Sequence, residues 1–218
     1  MKKIAVCLLS GGLDSAVAVA KVYEEEFQLH CIFFDWGQKT YKKELYCAKA
    51  LSKYYKAELI IIEIPLLKTL PCISLTKQET LTTAINEYVP NRNAILETQA
   101  VAYAEFLKAN VVCVGSTGGD HICPDNSPQF ISAMQEVINE GTMLKPSMKI
   151  IAPLINTDKG GVVKLGMKLK VPFELTWSCH NNNDQVCGKC SNCISRLEAF
   201  QINQISDPIQ YHISYQKN

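Results

Sequence analysis

The sequence predicts an α/β protein built on a doubly wound parallel sheet, followed by a C-terminal segment that binds zinc. Short, almost wholly apolar runs alternate with longer helix-like stretches along most of the chain. A glycine-rich turn joins the first apolar run to the first helix-like stretch, and a cysteine cluster stands near the C-terminus. Continuous apolar runs are typical of strands covered on both faces, and their alternation with helices is typical of βαβ units.

Apolar patterns assign the strands and helices in order along the chain. Buried strands are predicted for the runs KIAVCLL, LHCIFF, AELIIIEI, NVVCVGS and MKIIAPL. Helices are predicted at residues 14–26, 39–56, 93–108, 128–139 and 157–169. Residues 65–92 show no clear strand or helix, and a connection of that length inside a compact domain is usually functional.

Length, charge and cysteine usage restrict the class of protein. The 218 residues suit one domain with a small appendage, which we place at 1–177 and 178–218. The net charge of +1 argues against binding a polyanion through bulk charge, and no apolar stretch approaches the length of a membrane span. Six of the ten cysteines are scattered through apolar or helical segments, which fits a reducing cytoplasm better than a secreted disulfide protein.

The N-terminal stretch KKIAVCLLSGGLDS admits two interpretations. Two lysines followed by apolar and small residues are typical of an export signal, but such a signal needs an apolar run of about 7–15 residues. Here Ile4 to Leu9 gives six residues before two glycines and an aspartate intervene. We therefore interpret the stretch as a strand, a turn and the start of a helix.

The glycine-rich turn has the composition of a phosphate site. Gly11 and Gly12 allow a sharp turn and close approach of a ligand to the backbone, while Ser10 and Ser15 offer hydroxyl groups. The free amides at the start of a helix favour anions, phosphates above all. The alternative is an ordinary helix start with Asp14 or Ser10 as its N-cap. The turn contains neither the Walker pattern nor the dinucleotide pattern G-x-G-x-x-G.

The segment Ser10 to Ser15 resembles the S-G-G-x-D-S pyrophosphatase loop, or PP-loop, of ATP-dependent adenylating amidotransferases and tRNA thiolases. In that superfamily the loop holds the β,γ-pyrophosphate of ATP, and most members split ATP into AMP and pyrophosphate. The resemblance implies that ATP lies against Ser10, Gly11, Gly12, Leu13, Asp14 and Ser15, with Mg²⁺ on the phosphates. It also implies that adenosine lies near Asp35 and Gln38, at the end of the second strand.

The cysteine cluster has the spacing of a metal site. Four thiols follow the pattern Cys179-x7-Cys187-x2-Cys190-x2-Cys193, and four thiolates complete the tetrahedral coordination of zinc without an open position. The pattern therefore predicts a structural zinc that helps to fold the C-terminal segment. Disulfides would need an oxidising compartment, and the spacing alone leaves an iron–sulfur cluster or unpaired thiols open.

The chain as a whole is similar to the 7-cyano-7-deazaguanine synthase family of queuosine biosynthesis. The similarity runs nearly end to end and is carried by SGGLDS, DWGQ, SLT at 74–76, VPNRN at 89–93, PDNSPQFI at 124–131, DKGGVVKLG at 158–166 and the final WSCHNNNDQVCGKCSNCISR. The cysteine-rich tail separates this family from NAD synthetases and argininosuccinate synthetases, which lack it. The resemblance implies conversion of 7-carboxy-7-deazaguanine and ammonia to 7-cyano-7-deazaguanine (preQ0) through an adenylated intermediate.

The resemblance also implies roles for individual side chains. The residues expected to serve catalysis are Asp14, Arg92 and Lys159, and those expected to bind the substrate are Arg92, Asn93, Asp120 and Asp125. The planar fork of Arg92 matches a carboxylate or a phosphate, and Lys159 opens a late helix where it can stabilise charge on the α-phosphate. The alternative for both cations is an ordinary surface charge.

The chain departs from the family pattern on the substrate side. The family usually has Tyr-Pro-Asp-Cys-Arg where this chain has Cys123 to Ser127, and Asp120 lies one residue closer to Asp125 than usual. Trp36 and Thr40 stand where the family has Tyr and His. A diverged paralogue that adenylates another carboxylate or a deazapurine, for nucleic-acid or protein modification, is therefore an alternative. A tRNA-modifying PP-loop enzyme and a non-catalytic nucleotide sensor are further alternatives.

The partners expected from the sequence are small molecules: ATP, 7-carboxy-7-deazaguanine and ammonia. No glutaminase domain fits within 218 residues, so free ammonium is the expected nitrogen source. The near-neutral charge predicts no strong binding of nucleic acid. The apolar positions that follow Cys193 predict a homodimer.

Overall fold

Five parallel strands form a single sheet in the described part of the chain, which comprises residues 2–70, 88–118, 123–145, 147–181 and 185–212 of a computed structural model. The strands are β1 (Ile4–Leu8), β2 (Gln28–Asp35), β3 (Glu58–Glu63), β4 (Val111–Cys113) and β5 (Lys149–Ile151). Their order across the sheet is β3-β2-β1-β4-β5, and every neighbouring pair is parallel. The strand order therefore reverses between β1 and β4, where a parallel sheet opens a crevice for ligands.

Five of the seven helices in the described residues agree closely with those predicted from the sequence. The seven are α1 (Leu13–Glu24), α2 (Tyr41–Tyr54), α3 (Pro65–Thr69), α4 (Arg92–Phe106), α5 (Pro128–Gly141), α6 (Lys159–Lys168) and α7 (Ser191–Ile202), with a 3₁₀ turn at Phe173–Leu175. The helices that were not predicted are α3 and α7. The N-terminal stretch is thus a strand, a turn and a helix, as interpreted. No helix was predicted for residues 65–92. This prediction is wrong at the start of the range, where α3 begins at Pro65, because the fixed φ of proline suits the first position of a helix. Residues 71–87, with SLT at 74–76, lie outside the described residues.

Alternate side chains of each strand enter two separate apolar layers. Cys7, Cys31 and Phe33 pack with α1, α2 and α6 on one face of the sheet. Val6 and Ile32 pack with α4 and α5 on the other face. The continuous apolar runs follow from this arrangement, because neither face of the central strands meets water.

The C-terminal helix is packed against the same core. Ala199 and Phe200 are buried beside Val162 of α6, and the ring of Phe200 meets that of Phe173 at 5.1 Å between centroids. A sharp boundary at residue 177 stays a prediction. None of the helices within the described ranges is long and apolar enough to span a bilayer.

Candidate active site

The glycine-rich turn lies at the carboxyl end of β1, beside the point where the strand order reverses. Gly11 has φ +80°, and a Cβ there would lie 2.4 Å from the carbonyl oxygen of Glu44, so the turn requires glycine on two grounds. Gly12 occupies the N-cap of α1, and no described side chain caps that helix. The sequence left open whether Asp14 or Ser10 caps this helix. Neither does, so its first amides have no capping side chain among the described residues and can bind a ligand.

Hydroxyl and charged groups surround these amides. The Oγ atoms of Ser10 and Ser15 lie 3.0 Å apart, and Ser15 Oγ also donates to the carbonyl of Gly12 at 3.0 Å. Lys159 Nζ donates to Asp14 Oδ2 at 2.6 Å, although the two residues are 145 positions apart in sequence. Asp14 Oδ1 is buried and accepts no hydrogen bond from the described residues. The fold thus brings the ammonium of Lys159 and a carboxylate with one unbonded oxygen to the same helix terminus.

A cavity of about 360 Å³ opens in front of the turn. The predicted site residues that line it are Ser10, Gly12, Leu13, Asp14, Ser15, Gln38, Arg92, Asn93 and Lys159. Segments far apart in sequence therefore meet at one place, as a switch-point crevice requires. Gly11 instead faces α2, and Asp120 lies outside the described residues.

The structure gives Asp35 and Gln38 local roles at the end of β2. Asp35 Oδ2 accepts from Lys68 Nζ at 2.8 Å, and its Oδ1 accepts from the amide of Gly37 at 3.1 Å. Gln38 accepts from the amide of Trp36 at 3.0 Å and donates to the carbonyl of Phe34 at 2.9 Å. These bonds shape the turn, and Gln38 also reaches the cavity wall whereas the Asp35 carboxylate is held by α3.

Asp125 holds the start of α4. Its Oδ2 accepts from the amide of Asn93 at 2.7 Å, and its carbonyl accepts from Asn93 Nδ2 at 2.9 Å. Asp125 is 6% exposed and is not among the cavity-lining residues, although Asn93 is. Next to Asn93, the guanidinium of Arg92 lies over the ring of Trp36 at 5.1 Å, which restrains its position beside the cavity.

Two glutamates of the cavity wall, one buried and one partly exposed, were missed by sequence reasoning. Glu97 of α4 is 1% exposed, and burial together with the charge of Asp125 raises its pKa to about 8. Burial also raises the pKa of Glu44 of α2, against hydrogen bonds from Thr40 and Gln38 that lower it. The signal that could have found Glu97 is its place on the face of α4 that carries the predicted site residue Asn93 and continues into the apolar Ala100 and Val101.

The four cysteines come together in the tail, beside the cavity. The Sγ atoms of Cys179, Cys187, Cys190 and Cys193 all lie within 4.8 Å of one another and are buried. Four sulfurs at about 2.3 Å from a tetrahedral zinc lie about 3.8 Å apart, so the set fits a single ion. The amide of Cys190 donates to the Sγ of Cys187 at 3.4 Å, which favours thiolates. The cluster can therefore hold a metal ion.

Without a cation, the thiols shift one another's ionisation in opposite directions. Hydrogen bonds from Cys179 and then Cys190, with burial, raise the pKa of Cys193 far above its usual range, whereas hydrogen bonds from Cys179 and Cys193 lower the pKa of Cys190. A divalent cation favours the ionised form of all four because it coordinates thiolates. The same segment forms one wall of the cavity, through Trp177, Ser178, His180 and Asn192.

The sheet order, the SGGLDS turn and the cavity define an α/β protein of the PP-loop class. Two solved structures share the fold. One is NMN synthetase from Francisella tularensis, with TM-score 0.52 and 17% identity over 94% of this chain and 79% of the other. The second is a 4-thiouridine synthetase in an RNA complex with bound ATP, with TM-score 0.56 and 17% identity over 93% and 49% of the two chains.

Within that class the chain belongs to the family of the queuosine biosynthesis protein QueC, whose model matches residues 4–204. A 7-cyano-7-deazaguanine synthase from Oceanobacillus iheyensis is 39% identical over 96% of this chain and 98% of its own length. Another from Picrophilus torridus is 40% identical over 95% and 91% of the two chains. The family resemblance found in the motifs is confirmed.

Proposed function

We propose that this protein converts 7-carboxy-7-deazaguanine and ammonia to 7-cyano-7-deazaguanine, with cleavage of ATP to AMP and pyrophosphate. The observation that carries the proposal is that the PP-loop and Arg92 open into the same cavity, in a chain whose relatives bear the synthase name along nearly their full length. A nucleotide held by the loop would then face an acid held by Arg92.

The first half of the reaction makes the carboxylate reactive. A carboxylate oxygen attacks the α-phosphorus, the bond to the β-phosphate oxygen breaks, and pyrophosphate leaves. The amides of α1 with Ser10 and Ser15 would hold the departing pyrophosphate, and Lys159 would stabilise the charge on the α-phosphate. Lys159 is held by Asp14 at 2.6 Å, so its ammonium is already oriented before the nucleotide arrives.

The second half replaces oxygen by nitrogen. Ammonia attacks the acyl carbon and AMP leaves with the carboxyl oxygen, which gives an amide after loss of a proton. The amide oxygen then attacks the α-phosphorus of a second ATP, a second pyrophosphate leaves, and one N–H proton is lost. Loss of AMP together with the remaining N–H proton gives the nitrile. These steps need no nucleophilic side chain, so positioning of the reactants and stabilisation of charge carry the catalysis.

Two metal ions belong to the proposal. Mg²⁺ would be held by Asp14, whose Oδ1 is buried without a partner among the described residues, and it would neutralise phosphate charge. Zinc would be held by the four tail cysteines in a closed tetrahedral site, which fits a structural role in shaping the cavity wall. Reduced thiols at that site imply a cytoplasmic location. The proposal also includes that the protein forms a homodimer and does not bind nucleic acid strongly.

A diverged paralogue with another acid as substrate is the second candidate. Four of the residues that depart from the family pattern line the cavity: Trp36, Thr40, Cys123 and Asn126. Because the groups that line a pocket determine which ligand it binds, these changes favour a different acid substrate more than a different nucleotide.

Product analysis by mass spectrometry tests both candidates. The purified protein with ATP, Mg²⁺, ammonium and 7-carboxy-7-deazaguanine should form the nitrile, and Asp14→Ala should lower its rate at least a thousandfold. Glu136→Gln, an exposed change on α5, serves as the control and should match the wild type. ATP cleavage that depends only on some other acid would support the paralogue and refute the synthase.

A further inference from the structure

A buried carboxylate in the cavity wall has one oxygen without a hydrogen-bond partner among the described residues. Glu97 lies in α4, one helical turn after Asn93, and its side chain is 1% exposed although it lines the cavity. Its Oε2 atom is buried and accepts no hydrogen bond from any residue in the described ranges. Buried polar atoms nearly always have partners, so an unsatisfied carboxylate oxygen at a cavity wall indicates a ligand.

The folded chain gains nothing from this carboxyl on its own. Its position costs desolvation energy, and the nearest charge that affects it, Asp125, has the same sign. An apolar side chain would fill the same place in α4 without either cost. The position therefore matters for what enters the cavity rather than for the helix.

Asp125 does not supply this acceptor. Its Oδ2 is already engaged by the amide of Asn93 at 2.7 Å, and its side chain stands behind the wall formed by Asn93. Glu97 is the described carboxylate of α4 that reaches the cavity, and it shares that helix with Arg92. The two residues are separated by about 7.5 Å along the helix axis, at 1.5 Å per residue.

We infer that Glu97 accepts the hydrogen bonds of the ring N–H and exocyclic amino group of the bound heterocycle, and so determines which acid the cavity accepts. The inference rests on the proposed function, and it identifies the edge of the substrate by which the cavity recognises it. Arg92 would bind the carboxyl end of a flat bicyclic acid, and Glu97 would bind its donor edge. A carboxylate presents two oxygens side by side, which match two neighbouring N–H donors.

The match also predicts discrimination. Two N–H donors stabilise the ionised carboxylate and thereby offset the cost of its burial. An analogue without the exocyclic amino group leaves one oxygen of Glu97 unsatisfied, and sites of this kind reject such analogues strongly. A Gln at position 97 would present an N–H group to the ligand's own donors and lose that preference.

Calorimetric binding of two uncarboxylated heterocycles tests the inference without requiring turnover. The ligands are 7-deazaguanine and 7-deazahypoxanthine, which lacks the amino group, each titrated with α,β-methylene-ATP present. We expect the wild type to prefer 7-deazaguanine by at least 30-fold, about 2 kcal/mol. Glu97→Gln should reduce this preference to within threefold. Its affinity for the ATP analogue should be unchanged, and Glu136→Gln should behave as the wild type.

The outcomes separate the inference from the proposed function. If Glu97→Gln keeps the preference for 7-deazaguanine while the wild type makes the nitrile, the inference is wrong and the function stands. If the preference depends on Glu97 but no nitrile forms, the function is wrong and the inference stands. If the wild type binds neither heterocycle, the inference is wrong, and nitrile formation alone decides the function. An unchanged affinity of the variant for the ATP analogue excludes misfolding as the cause of any loss.

Discussion

The tail and the cavity wall differ in whether their buried charged groups have hydrogen-bond partners. In the tail, Arg196 is 0% exposed and its five N–H donors meet five acceptors. Two of these bonds go to the carboxylate of Asp207, at 2.6 and 2.9 Å. In the cavity wall, Asp14 Oδ1 and Glu97 Oε2 are buried without a partner among the described residues.

The difference separates groups that hold the fold from groups that await ligands. Arg196 joins α7 to Thr176, Ser178 and the carbonyl of Phe173, and so holds the cysteine segment against the α/β core. A fully satisfied arginine has no capacity left for a substrate. The unsatisfied oxygens of Asp14 and Glu97 lower stability and are therefore the groups to assign to ligands.

The largest effect on stability is expected for Asp207→Ala. The change leaves the Nε and Nη2 donors of Arg196 buried without their carboxylate, which costs about 3–5 kcal/mol of the free energy of unfolding. Urea denaturation measures it. Glu24→Ala is the matched control, because it removes a carboxylate that meets Lys21 at the exposed surface, and it should leave the urea midpoint unchanged. Equal effects of the two variants would contradict the role given to Arg196.

A pH-dependent effect is expected for Glu97→Gln. The folded chain holds the Glu97 pKa at about 8, above its ordinary value of 4.5, so between these pH values the folded state keeps a proton that the unfolded state releases. Stability from this group is therefore fully present below about pH 4.5 and is lost as the pH rises towards 8.

Glu97→Gln should consequently flatten the fall in stability with pH, by at most about 1.4 kcal/mol per pH unit. Urea denaturation of the ligand-free protein between pH 5 and 8 measures the slope. Glu136→Gln should retain the wild-type slope. A Glu97→Gln profile parallel to that of the wild type would show that this carboxyl is not buried as described.

Much of the fold follows from the sequence, because continuous apolar runs and helical stripes are local signals of strands and helices. The helices α3 and α7 were not predicted, since a five-residue helix is too short for periodicity and α7 was read only as part of the cysteine tail. Packing of Phe200 into the main core also depends on contacts distant in sequence.

The site was predictable where a motif specifies the backbone itself. The SGGLDS turn and the cysteine spacing constrain the main chain, so their groups lie together as expected. Side-chain direction carries no such signal. Asp35 and Asp125 therefore turned out to hold α3 and α4, while the buried Glu97 was not selected from the sequence.

Lys159→Met tests the central claim that cavity charges serve ligands rather than the fold. Pyrophosphate release should fall by about 10²–10³-fold, because a cation facing the α-phosphate is lost, while Met keeps the apolar stem. The free energy of unfolding should stay within about 0.5 kcal/mol of the wild type, since Lys159 and Asp14 are both partly exposed. Lys164→Met, an exposed change on the same helix, should alter neither quantity. Wild-type pyrophosphate release by Lys159→Met, or a loss of several kcal/mol in its stability, would contradict the account.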